Sequence, residues 1–372
     1  MPKVAILHFG RIILYIKLPK IQLIMKSVST SAFAITLGQK SIWTKYVSEA
    51  YKYDFYHTWD YQDLAKNGDP LLFVYEEDED YIALPLLKRT IPNTDFVDFH
   101  SVYGYTGPIS NKEIGLLDQG FLLQFQEALH KFLTEENSIS VFVKFHPFIN
   151  QKIAFEQLGG IVENGRVVAI DLIQSLEEQR QRYKCNTKKI IRKCREIGFY
   201  TRQMKGPEDI AAFTRLYNKS MDRIGASKFY KFNEAYFTNL LNSTQCNAKL
   251  LLVFFENKMI CGCVVTFNKG IIQAHLLATD NEYLKYSPAK YLTDEVCLLG
   301  RKHEMEYFHL GGGQGYKDNS LLDWKLSFSD YVLPHRSWRF IVNQKIYAQL
   351  VEDTGNNINN PVDFFPLYRL EQ

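Results

Sequence analysis

Three glycines in a row, Gly311-Gly312-Gly313, directly follow the short apolar run Tyr307–Leu310. A strand ending in glycines lets the backbone approach a ligand closely, and its exposed N–H groups can hold a carbonyl or phosphate oxygen; the plain alternative is a tight turn. Downstream, Leu321, Leu322, Trp324, Lys325 and Phe328 recur at helical spacing behind Asp318, Asn319 and Ser320, all residue types that cap helices. Lys325 falls on or beside the apolar side of that helix. A lysine there is ordinarily a snorkelling surface residue, but a desolvated one becomes a donor able to stabilise an oxyanion. A second loop, Ser101–Pro108, sets Tyr103 and Tyr105 between glycines at a strand end. Such tyrosines suit stacking on, and hydrogen bonding to, a polar ligand, and they suit a structural turn equally well. His275, on an apolar run read as a strand, is a candidate base or a satisfied structural histidine.

The most basic stretch runs from Arg180 to Arg195, where eight Lys and Arg residues occur with no acid between them. On a helix from Thr187, Ile190, Cys194 and Ile197 form an apolar stripe, while Lys188, Arg192 and Arg195 line another face, and Gly198 is a natural terminator. The cations read either as a solvated face or as a phosphate-binding surface for a nucleotide-linked substrate or a tRNA.

Several chemistries are excluded at motif level. The chain has no GxxxxGK[ST], HExxH or GxSxG, and no GxGxxG leading into a helix. His309 ahead of the glycine run has the look of a lipase oxyanion loop, but no nucleophile elbow accompanies it. Six cysteines occur without a CxxC, and no Cys/His pair has zinc-site spacing, so reduced thiols and no metal are expected. With 46% hydrophobic and 23% charged residues and a net charge of +3, the composition is globular, and charge alone does not argue for nucleic acid. The 372 residues are enough for two domains.

The elements that must carry these residues alternate between strands and helices. In the first half Leu71–Tyr75, Tyr81–Leu87, Phe96–Val102 and Ile139–Phe145 read as strands, and Leu116–Leu133 as a helix. In the second half Phe199–Met204 is a strand, and Glu208–Arg223 and a segment capped by Asn233 are helices. Lys249–Phe255, Met259–Phe267 and Ile271–Leu277 then form a meander, followed by a helix over Pro288–His303 and a strand over Tyr307–Leu310. This order predicts an α/β protein with a mixed sheet and two similar halves meeting near Gly165–Asp171. Residues 1–24 hold two short apolar runs broken by Lys17, Pro19 and Lys20. They read as an upstream extension, with a weak membrane-surface anchor as the alternative and no transmembrane segment.

Taken in order, the tyrosine/glycine-proline loop Tyr103–Pro108, the basic helix Asn186–Gly198, the helix and strand Pro288–Gly313, and the aromatic-lysine segment Leu321–Phe328 resemble the FemAB-type branch of the GNAT acyltransferase superfamily. The resemblance covers most of the chain from about residue 40. It implies two tandem GNAT-like acyltransferase domains, here 25–168 and 169–372, and acyl transfer to an amine. In that reading Lys325 matches the oxyanion-stabilising lysine, and Arg192 and Lys193 fall where phosphate contacts are expected. Tyr103 and Tyr105 would contact the acceptor, and Gly311, Gly312 and Gly313 would shape the acyl site. The implied donor is acyl-CoA or aminoacyl-tRNA, and the acceptor a nucleotide-linked or amine-bearing cell-envelope precursor met in the cytoplasm. The chain departs from the family in lacking a long charged helical hairpin. It also lacks the Q/RxxGxG/A pyrophosphate loop, in whose place stands Tyr286–Lys290. An inert sugar- or peptide-binding module on the same fold is the reading from another class.

Overall fold

The computed structural model describes residues 30–65 and 67–370. The extension over residues 1–24 lies outside the described residues.

Hydrophobic alternation in the first half produces β1 (Thr30–Thr36), then α1 (Lys40–Glu49) and α2 (Trp59–Gln62). The strands β2 (Asp69–Glu77), β3 (Asp80–Thr90) and β4 (Val97–His100) follow, with the two-residue β5 (Ile109–Ser110) beside β3. Helix α3 (Gln119–Glu135), capped by Asp118, crosses over to β6 (Ser138–Lys144), which runs parallel to β4. The chain then passes through β7 (Ile161–Asp171), α4 (Leu176–Gln181) and α5 (Cys185–Glu196).

The second half repeats the order. It has β8 (Tyr200–Gln203), α6 (Pro207–Arg223), α7 (Glu234–Asn242), and the antiparallel strands β9 (Ala248–Phe255), β10 (Lys258–Asn268) and β11 (Ile271–Thr279). Helix α8 (Pro288–Lys302) crosses over to β12 (Tyr307–Gly312), parallel to β11. The chain ends with α9 (Ser320–Lys325), β13 (Val332–Ile341) and α10 (Gln344–Asp353). Each half is thus a strand, two helices, an antiparallel meander and a helical crossover to a parallel strand.

One mixed sheet joins the halves, in the order β1-β2-β3-β4-β6-β13-β7-β12-β11-β10-β9-β8. The strand that follows each half is donated to the other. β7 comes after β6 in the chain but pairs with β12; β13 comes after β12 but pairs with β6; the two exchanged strands pair with each other at the centre. The stretch Gly165–Asp171, read from sequence as the junction, is the second part of β7.

Alternate residues of each strand face opposite layers. Leu250, Leu252 and Val264 pack under α6 and α7 through Phe213, Tyr217 and Phe237. Their neighbours Leu251, Val253, Cys263 and Val265 pack under α8 through Tyr291, Leu292 and Val296. The face of α5 turned to the core is centred on Thr187, Ile191 and Cys194, with Ile190 and Ile197 of the expected stripe partly buried at its margin. All six cysteines are free thiols. No helix among the described residues is long and apolar enough to cross a membrane.

Candidate active site

Strands β11 and β12 pair only over Ile271–Gln273 and Tyr307–His309, although both continue beyond. On the other side of β12, the register against β7 shifts between His309 and Gly311. The glycine run therefore lies where the sheet parts. Gly311 has a φ of +78°, a conformation a side chain disfavours. A Cβ there would come within 3.2 Å of Lys325 Nζ and 3.5 Å of Tyr105 Oη. Two donors therefore converge on the face that glycine leaves bare. The Gly312 carbonyl accepts a 2.6 Å hydrogen bond from Lys325 Nζ, and Gly313 opens the turn that carries Tyr316.

Local sequence explains how Lys325 is aimed. Asn319 caps α9 by accepting from the Leu321 and Leu322 N–H groups, and buried Leu322 and Phe328 anchor the segment on either side of the lysine. Ser327 is held by Thr187 of α5 and by Lys290 of α8. Burial lowers the Lys325 pKa to about 7, so its ammonium is poorly solvated and its remaining N–H groups are available to a ligand.

Tyr105 reaches the site because the loop is pinned. Gly104, at φ +130°, lies so close to the Tyr56 ring that a Cβ would sit 2.1 Å from it. The Tyr105 ring lies 5.0 Å from His309 and 5.5 Å from His335, and Tyr316 stacks on His335 at 3.6 Å. His146, next to Tyr105, is bonded through Nε2 to buried Asp54 at 3.0 Å. Tyr103 points elsewhere, against Phe229, Tyr230 and Phe232.

The structure brings together Lys325, Tyr105 and the glycines. His275 stands apart from Lys325 in its contacts. Its Nε2 is 2.9 Å from Tyr236 Oη and its Nδ1 3.4 Å from Tyr56 Oη, and burial drives its pKa down to about 3, which leaves it neutral and poorly basic. Arg192 and Lys193 stand exposed on the outer side of α5, with Arg192 3.5 Å from Glu196. Arg180 and Arg195 both grip Asp294 of α8 at 2.6 Å, and Arg182 pairs with Asp330 at 3.2 Å, so part of the basic run ties elements together.

The sequence reading missed His309, Tyr316 and His335. His309 is fully buried, and neither ring nitrogen has a hydrogen-bond partner among the described residues. Burial, with the charges of His146, Lys325 and His335 adding to it, pushes its pKa well below the ordinary value, so the ring is neutral and presents one donor and one acceptor. Its signal was its place just ahead of the glycine run; His335 lies on β13, a strand the sequence pattern did not reveal.

Residues 179–325 match the family model described as an Acetyltransferase (GNAT) domain, a match that ends at Lys325. That segment is similar to a GNAT acetyltransferase domain, and the chain as a whole shares the fold of FemX. Among solved structures, FemX superposes with a TM-score of 0.66 at 13% identity, over 87% of this chain and 100% of FemX. L-PGS from Bacillus licheniformis gives 0.56 at 12% identity, over 85% and 96% of the two chains. The C-terminal domain of a putative lysylphosphatidylglycerol synthetase from Agrobacterium fabrum gives 0.50 at 12%, over 74% and 85%. No curated protein sequence matches the chain. At these identities the structural matches establish a shared fold, the tandem mixed α/β architecture.

Proposed function

We propose that the protein is an N-acyltransferase that moves an acyl or aminoacyl group onto an amine of a cell-envelope precursor in the cytoplasm, with residues 25–168 and 169–372 as its two GNAT-like units. The observation that carries the reading is the convergence of Lys325 Nζ and Tyr105 Oη on Gly311, at the point where β11 and β12 part. The amine attacks the thioester or ester carbonyl, the C–N bond forms, and the carbonyl oxygen becomes an oxyanion facing Lys325. Collapse expels the thiol or alcohol, and the amine's proton leaves with it or to solvent. Preorganised donors supply the acceleration, and no protein-bound acyl intermediate is needed.

Acyl-CoA is the first donor reading, supported by the match of residues 179–325 to an acetyltransferase domain. The N-terminus of α8 has no side-chain cap, with Ser287 left-handed at the N-cap; Pro288 brings no N–H and the Lys290 N–H donates to the Ser287 carbonyl at 2.9 Å, so the Ala289 N–H is the first-turn donor that would meet a phosphate. The second donor reading, aminoacyl-tRNA, draws on the outer face of α5, where Lys184, Lys188, Lys189, Arg192 and Lys193 are exposed.

The test follows thiol release from a panel of acyl-CoAs with amine acceptors, using the full chain and Lys325→Met. Loss of one oxyanion donor should lower kcat about 10²–10³-fold. Near-normal turnover by a folded Lys325→Met protein would overturn the role. Transfer from charged tRNA, with no thiol release from any acyl-CoA, would move the reading to the second donor.

A further inference from the structure

Between β12 and α9 the chain crosses the glycine run as a strap, Gly313–Asp318. Within it Tyr316 has a φ of +60°, a conformation that a ring-bearing side chain keeps only where its surroundings impose it. The strands beneath carry glycine where the strap comes down. A Cβ on Gly165 of β7 would lie 2.2 Å from the Tyr316 carbonyl oxygen, and a Cβ on Gly312 of β12 would lie 2.8 Å from its ring. The ring stacks on His335 of β13 at 3.6 Å, with 22° between the planes, and the Lys144 ammonium of β6 stands 5.9 Å from its centre.

The strap closes against the donor pair. The Gly312 peptide beside the Tyr316 ring is the one whose carbonyl takes Lys325 Nζ. Around Tyr105 stand the rings of Tyr56, His146, His309, His335 and Tyr316. His309 and His335 belong to strands, while Tyr56 is held by Gln273 at 2.8 Å and His146 by Asp54 at 3.0 Å. Tyr316 alone among these five comes from a segment whose neighbouring residues, Gln314, Gly315, Lys317 and Asp318, are exposed. It is the wall of Tyr105 that can move. The far end of the strap is tied by a surface pair: Arg166 of β7 donates to Asp318 through Nη2 at 2.8 Å and Nε at 3.2 Å, with the side chains 45% and 70% exposed. Such a pair has good geometry but contributes little in water, so the strap can lift without disturbing the sheet.

We propose that Tyr316 is a positioning residue on a closing strap. With the Arg166–Asp318 pair broken, the strap lifts and a ligand's carbonyl reaches the bare face of Gly311. With the pair made, Tyr316 presses on Tyr105 and holds its hydroxyl toward that face. The role in transfer rests on the acyltransferase reading; the closure over Lys325 does not.

Two measurements on the full chain test this. The first needs no substrate. Trace acetic anhydride acetylates the unprotonated amines it can reach, and mass spectrometry compares Lys325 with exposed Lys189 in the same chain. At pH 8, above its pKa of about 7, Lys325 is mostly unprotonated, yet under the strap it should label more slowly than Lys189. Arg166→Ala should speed the labelling of Lys325 about two- to fivefold. Charge cannot produce that result, because removing a cation raises the pKa of a neighbouring lysine and slows its labelling. Exchanging the partners, Arg166→Asp with Asp318→Arg, should restore the slow rate. Lys325 outpacing Lys189 in the native chain, or labelling unchanged or slowed by Arg166→Ala, overturns the proposal.

The second measurement follows kcat. Tyr316→Gly accepts the positive φ without strain and removes the ring, and it should lower kcat at least tenfold. Tyr316→Phe keeps the ring and should retain at least half of the native kcat. In a Tyr105→Phe background Tyr316→Gly should cost nothing more, because a residue acting through Tyr105 has nothing left to position. Losses that multiply in the double variant, or a Tyr316→Phe protein as slow as Tyr316→Gly, overturn the positioning role. Should the native chain transfer no acyl group, the acyltransferase reading falls and the labelling alone decides the strap. Labelling indifferent to Arg166 with turnover intact removes the strap and leaves that reading standing.

Discussion

Lys325→Met should change stability in a way that identifies the environment of the lysine without any substrate. Burial lowers the Lys325 pKa from an ordinary 10.5 to about 7. That drop corresponds to ~5 kcal/mol of destabilisation at most, and to about half of that for a side chain that keeps partial access to water. Methionine removes the charge, but it also removes the 2.6 Å bond to the Gly312 carbonyl, whose loss costs about 1–3 kcal/mol. The net gain at pH 7 is therefore small, about 1 kcal/mol. The pH dependence is the sharper signature. Between about pH 7 and 10.5 the unfolded lysine holds a proton that the folded one has released, so stability of the native protein rises with pH. The rise is ~0.7–1.4 kcal/mol per pH unit and is absent in Lys325→Met. Other titrating groups cancel in the comparison. Urea unfolding of both proteins at pH 7, 8 and 9.5 should show the native chain gaining about 2–3 kcal/mol on the variant across that range. A difference that stays constant, or moves the other way, would refute the argument that Lys325 is desolvated.

Gly311→Ala should lower turnover at least tenfold and destabilise by ~1–2 kcal/mol, because alanine must adopt a φ of +78° and its methyl would meet Lys325 Nζ at 3.2 Å; thermal unfolding beside an activity assay checks both. Asp294→Ala leaves Arg180 and Arg195 without their shared buried carboxylate and should cost about 2–3 kcal/mol in urea unfolding, less than a fully buried pair because both arginines reach solvent. Lys189→Glu combined with Lys193→Glu should leave stability within about 0.5 kcal/mol, as both side chains are exposed. If tRNA is the donor, the same pair should flatten the salt dependence of tRNA binding by a slope of about 2.

The sequence made visible the elements whose hydrophobic period was uninterrupted. The meander β9-β10-β11, the crossover α8 and the Asn233 cap of α7 lie within a residue or two of their expected limits. Two central strands escaped notice for a physical reason. β7 contains Glu163, Asn164, Gly165 and Arg166, which confine its apolar run to Val167–Ile170, and β13 is interrupted by Pro334, His335 and Arg336, so neither shows a strand-length hydrophobic pattern. Their register is set by pairing with partners far away in sequence. The site followed the same rule. Lys325, Tyr105 and Gly311 stood out because local spacing marked them. His309, His335 and Tyr316 acquire meaning only when the seam between the halves assembles around Tyr105.

That seam also governs how the protein can be made. Because β7 is given to the second half and β13 to the first, the edge of β6 stays open until residues 332–341 have been synthesised. A ribosome-bound first half therefore presents an unpaired strand for most of translation, a hazard for pairing with other chains. Its closure is a contact of long sequence separation and correspondingly slow. A chain stopped before Val332 would leave both β6 and β7 bare along one side, and Tyr105 without the His335 that stacks on Tyr316. Reciprocal strand donation makes the tandem indivisible: the halves can differ in sequence, but neither can be truncated or shuffled without the other.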